Sequence, residues 1–124
     1  MNPYASPQAS YRQNSVLTAS PGQLVVMLYD GAIRFLRQGE LAMQEGLIAQ
    51  TNDRLQRAEA IIDELLATLN DDAGEITERL RSIYVYCRGQ LMTARIQRDP
   101  SKVREVIGHM SELREAWAQI AGTA

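Results

Sequence analysis

Apolar residues recur at steps of three and four through most of this chain, and that periodicity admits little besides packed helices. Over about 47–69, Ile48, Thr51, Leu55, Ala58, Ile62, Leu65 and Leu69 keep the alternation without a break. Ile76, Leu80, Ile83, Cys87, Leu91 and Ala94 continue it over about 73–98, and Val103, Val106, Met110, Leu113, Trp117 and Ile120 over about 99–121. Such spacing lines one face of a helix, whereas a half-buried strand needs every second residue. A first helix is expected at about 20–45, because Ser20 suits an N-cap, Pro21 the first helical position and Gln23 the capping-box position. Gly46 ends it. Asn70-Asp71-Asp72 breaks the pattern and offers a cap to the third helix, and Asp99-Pro100 starts the fourth. Linkers this short make consecutive helices antiparallel neighbours. The reading is all-α: an up-down-up-down antiparallel four-helix bundle over 20–122.

Residues 1–19 read differently. Pro3, Pro7 and several serines, glutamines and asparagines surround few apolar groups, a composition that cannot offset its own ordering entropy. The segment is expected to be flexible, with Tyr11, Val16 and Leu17 as hooks that cap the bundle.

Charge and cysteine content narrow the function. A net charge of −2 leaves no basic surface for phosphates over the whole domain, which argues against nucleic-acid binding, and Arg88, Arg95 and Arg98 read as a solvated helix face. The single cysteine, Cys87, cannot form an internal disulfide and suits a reducing compartment. No apolar run approaches membrane-spanning length, and no secretory leader is visible at the N-terminus. A cytoplasmic location is expected.

Two helices carry more apolar surface than a bundle core needs. In the first, Val25, Val26, Tyr29 and Ile33 widen the apolar arc to roughly 200°, against a little over 100° for an ordinary surface helix. Either the N-terminal segment or a partner covers the excess. In the third, Val85, Gly89, Met92 and Ile96 step by four, three and four on the side opposite the inner stripe. Gly89 costs about 1 kcal/mol against Ala in a helix interior, a cost that close approach by a partner's backbone would offset. Met92 adds an adaptable contact. These eight positions form the expected surface for another polypeptide.

Catalysis finds little to work with. His109 is the only histidine, too few for a di-iron bundle or an ordinary zinc site, and no cofactor is expected. Cys87 falls on an inner stripe, where a small buried hydrophobe is expected rather than a nucleophile. A histidine-phosphotransfer bundle is the competing catalytic reading, but Gly108-His109-Met110-Ser111 lacks the nearby lysine that would hold a phosphoryl group. A structural homo-oligomer sealed by the outer stripe of the third helix is the other alternative.

Tyr11, Val16 and the run Thr18-Ala19-Ser20-Pro21-Gly22-Gln23-Leu24, followed by Met27-Leu28-Tyr29-Asp30-Gly31-Ala32, resemble the signature of the flagellar secretion chaperones of the FliS type. Ala58, Ile61, Ile62 and Leu65, then Ile83-Tyr84 with Tyr86, then Glu105-Val106 with Ala116-Trp117 and Ile120, agree with that family in order and spacing. The likeness spans about residues 11–120. Val85 stands where the family usually has an acid between two tyrosines, Cys87 where Met is common, and Arg88-Gly89-Gln90 replaces a more basic pair. The resemblance implies a cofactor-free antiparallel bundle that holds the disordered C-terminal segment of flagellin, and a monomer or weak homo-oligomer is expected. It also implies that the N-terminal segment, through Tyr11 and Val16, gives way to the client. Related proteins are further linked to the flagellar export gate and to an anti-sigma factor.

Overall fold

A computed structural model describes residues 19–70 and 74–123. Four helices make up the fold: α1 (Pro21–Gln44), α2 (Ile48–Ala67), α3 (Glu75–Gln97) and α4 (Pro100–Thr123). α1 begins with a full capping box. The Gln23 backbone N–H donates to Ser20 Oγ at 3.2 Å, and the Ser20 N–H donates to Gln23 Oε1 at 2.8 Å. It ends in a Schellman turn, with Leu47 N–H bonded to Ala42 O, Gly46 N–H bonded to Met43 O, and Gly46 at φ 74°. α4 opens on Asp99, whose carboxylate accepts from the backbone N–H and the hydroxyl of Ser101. Those bonds hold the Asp99 carboxyl below its ordinary range.

The other two starts are plainer. α2 begins after Leu47 and α3 after Gly74 at φ 73°, neither with a side-chain cap. Asp71 and Asp72 of the expected cap lie outside the described residues, and Gly74 takes the N-cap position of α3, with Glu75 and Glu78 complementing the dipole of the first turn. α3 closes on Arg98, a non-glycine residue at φ 52°, a left-handed conformation that costs about 1–2 kcal/mol.

The helices form an antiparallel ring. Gly31 and Gly39 of α1 approach Ile61 and Leu55 of α2, Gly22 at the start of α1 lies against Ala121 at the end of α4, and Arg88 of α3 reaches Asp63 of α2. α1 thus sits between α2 and α4, and α3 closes the ring opposite it. The expected architecture holds. Leu36, Leu55, Ile62, Leu91, Val103, Val106 and Met110 fill the centre. Ile48, Ile76 and Ile120 had been expected there too, but all three are exposed. Each stands in the first or last turn of its helix, where the neighbouring helices no longer overhang the stripe.

Candidate functional site

The second stripe of α3 faces solvent. Tyr84, Cys87, Leu91 and Ala94 occupy the core side of the helix, so residues turned well over 100° away stand outward. Val85, Met92 and Ile96 are 58%, 57% and 76% exposed, and Gly89 is exposed between them. A contiguous apolar line of this kind is unusual on a helix that has already filled its core face.

Gly89 differs from the glycines of α1 in what surrounds it. A Cβ on Gly39 would come within 2.6 Å of Leu55 Cδ2, on Gly31 within 3.2 Å of Ile61 Cδ1, and on Gly22 within 3.3 Å of Ala121 Cβ. Those glycines let α1 close on its neighbours. A Cβ on Gly89 would meet nothing within 4 Å, so the fold itself does not need a glycine there.

Polar ties flank the stripe on both sides. Toward α2, the buried carboxylate of Glu59 pairs with Arg88 at 2.9 Å and Arg95 at 3.1 Å, and Arg88 also reaches Asp63 at 2.9 Å. Arg88 and Arg95 are therefore locked to α2, not free on a solvated face as their sequence positions suggested. Sequence reasoning missed Glu59, although its place four residues after Leu55 and three before Ile62 sets it at the edge of the α2 core stripe. Toward α4, the Tyr86 hydroxyl donates to Glu105 Oε2 at 2.5 Å and Gln90 Nε2 donates to Oε1 at 3.1 Å. The Tyr86 bond, followed by that of His109, holds the Glu105 carboxyl below its usual range. These ties fix the rotation of α3 and so keep the apolar line outward.

Of the α1 half of the expected surface, Tyr29 is withdrawn from solvent while Val25, Val26 and Ile33 stay partly exposed. Tyr29 is fully buried, its hydroxyl hydrogen-bonded to that of Tyr84, and burial pushes the titration of both phenols upward. Val25 and Ile33 are half-buried against the core. Val26 is half-buried in a cleft of ≈ 330 Å³ with Met27, Ala118 and Ala121. Much of the wide arc of α1 is taken up because this helix closes tightly on both α2 and α4, and Val25 and Val26 keep an open edge on two clefts. The cap residues Tyr11, Val16 and Leu17 lie outside the described residues. At the end of the bundle where α1 starts, Val25, Leu65, Leu69, Ile76, Leu80 and Trp117 line a second apolar cleft of ≈ 260 Å³, with all four helices contributing.

Two residues bear on chemistry. Cys87 is buried, and desolvation pushes its thiol up to about 12, far from a usable nucleophile at neutral pH. His109 Nε2 stands 3.3 Å from a Glu105 oxygen, with the ring edge-on to Tyr86 at 5.8 Å. A phosphoryl group on that nitrogen would crowd a carboxylate, which disfavours the phosphotransfer reading.

The family comparison decides the class of protein. The model of the family described as "Flagellar protein FliS" matches residues 4–124. The chain belongs to the FliS family. It is 37% identical to the flagellar secretion chaperone FliS of Bacillus subtilis, covering 92% of this chain and 85% of that protein. Against the Salmonella typhimurium chaperone identity is 36%, with 90% and 84% covered, and against that of Vibrio cholerae 39%, with 82% and 76% covered. FliS is a chaperone family, not an enzyme family, so membership supports an export-chaperone role and implies a protein substrate as partner. Among the described residues no helix is long and apolar enough to cross a membrane.

Proposed function

We propose that this FliS-family chain is a cytoplasmic export chaperone that binds the disordered C-terminal segment of flagellin. By holding it, the chaperone prevents premature polymerisation and keeps the client competent for flagellar type III secretion. The observation that carries this reading is the exposed line Val85, Gly89, Met92 and Ile96, whose glycine has no use inside the fold. A client segment that cannot bury its own apolar stripe orders on this face, with side chains at i, i+3, i+4 and i+7 seated along it. Gly89 lets the client backbone approach closely. Tyr11, Val16 and Leu17 of the N-terminal segment serve as a cap, for which the clefts lined by Val26 and by Val25 and Trp117 offer apolar seats. The protein acts as a monomer or weak homo-oligomer, and the export gate and an anti-sigma factor are further partners on the strength of the family resemblance.

Calorimetric titration with a flagellin C-terminal peptide tests the proposal. A 1:1 complex with a large negative heat-capacity change is expected. The doubly substituted Val85→Lys/Ile96→Lys protein should keep its helical spectrum and melting temperature but lose binding at least about 100-fold. Unchanged affinity in that variant would remove the α3 line from the site.

A further inference from the structure

The outer line of α3 does not end in open surface. Ile96 is its last member, and two residues further the helix closes at Arg98. There, at the end of the bundle opposite the four-helix cleft, a small notch of ≈ 40 Å³ opens between α3 and the α1–α2 turn. Met43, Ile48, Thr51, Asn52, Arg95 and Arg98 line it, and no acidic residue does.

Size and charge together restrict what the notch can take. A space this small admits a group the size of a carboxylate and excludes a large apolar side chain. Arg95 is held by Glu59, which it shares with Arg88, while Asp63 serves Arg88 as well. Arg95 and Arg98 are the cations that line the notch, and of the two Arg95 is already engaged by Glu59. Among the described residues no acidic group pairs with Arg98, and its left-handed backbone is a place where glycine would sit with less strain. Ile48 and Met43 supply the apolar wall.

We infer that this notch captures the free C-terminal carboxylate of the client. The inference rests on the proposed function, since the end of a chain carries an α-carboxylate that an internal segment lacks. It also sets the polarity of the complex. The client runs along α3 from Val85 toward Ile96 and places its last residue against Arg98, beside Met43 and Ile48.

The test compares two synthetic flagellin C-terminal peptides, one a free acid and one a C-terminal amide, titrated into the full chain and into Arg98→Gly. That substitution removes the guanidinium while suiting the left-handed backbone, so the variant is expected to fold. On the unmodified protein the free acid should bind about tenfold more tightly than the amide, the loss typical of a charge-assisted hydrogen bond. On Arg98→Gly the two peptides should bind alike. Equal binding of acid and amide to the unmodified protein overturns the inference and leaves the proposed function standing. A preference for the acid that persists in Arg98→Gly also overturns it, because the carboxylate must then bind elsewhere. If neither peptide binds, the proposed function fails and this inference falls with it.

Discussion

Tyr29 of α1 and Tyr84 of α3 join their hydroxyls across the diagonal of the bundle, a polar contact between helices that are not neighbours in the ring. Both rings are buried, their centroids 6.5 Å apart at 40°. One hydroxyl donates to the other where little solvent reaches. Replacing either alone, Tyr29→Phe or Tyr84→Phe, leaves a buried hydroxyl short of its partner and should cost about 1–3 kcal/mol in urea unfolding. The double replacement should cost less than the sum of the singles, because it removes donor and acceptor together.

Burial of neutral acids makes the fold sensitive to alkali. The Cys87 thiol titrates near 9.0 when exposed and at about 12 when folded. Between those values the unfolded chain holds fewer protons than the native one, so stability falls as pH rises. One such group contributes a slope of up to about 1.4 kcal/mol per pH unit in that window. The two core tyrosines, also shifted upward by burial, add to it above pH 10. Unfolding free energies measured from pH 8 to 10.5 should therefore decline, and Cys87→Ala should flatten the part between pH 9 and 10.

Gly39 and Gly89 should respond oppositely to the same added methyl. Gly39→Ala would press on Leu55, whose Cδ2 lies 2.6 Å from the new Cβ, and should destabilise by about 1–3 kcal/mol. Gly89→Ala meets open space and should stabilise by about 1 kcal/mol through helix propensity. The same change should weaken client affinity, which titration of the two proteins side by side would reveal.

Removal of residues 1–18 should raise client affinity or association rate if those residues compete for an apolar seat. Only the uncapped fraction can bind, so apparent affinity rises as that fraction approaches one. Stopped-flow association with a fluorescent flagellin peptide measures both, and a marked weakening would place the segment in the binding surface instead.

The helices were legible because their punctuation is local: Ser20-Pro21, Gly46 and Asp99-Pro100 act within a turn of themselves. The outward placement of Val85, Met92 and Ile96 was legible for a similar reason, since helical phase alone separates them from Cys87 and Leu91. The fate of Tyr29 was not. Its burial depends on how closely α1 approaches two other helices, which is set by Gly31, Gly39 and distant partners such as Ile61 and Leu55. Phase also misled at Ile48, Ile76 and Ile120, where the stripe runs past the overlap of its neighbours. The Glu59 pairing with Arg88 and Arg95 joins residues about thirty positions apart, beyond any local pattern.

Gly22 beside Ala121 has a practical corollary for anyone handling the protein. The first turn of α1 and the last turn of α4 meet there, beside the cleft lined by Val26, Ala118 and Ala121. A fluorophore placed on the first turn of α1 or the last turn of α4 would therefore sit at a helix junction, whereas labels at the α1–α2 turn would crowd Arg98 instead. Mid-helix positions on the polar side of α4, such as Gly108, stand clear of both, with open space around them.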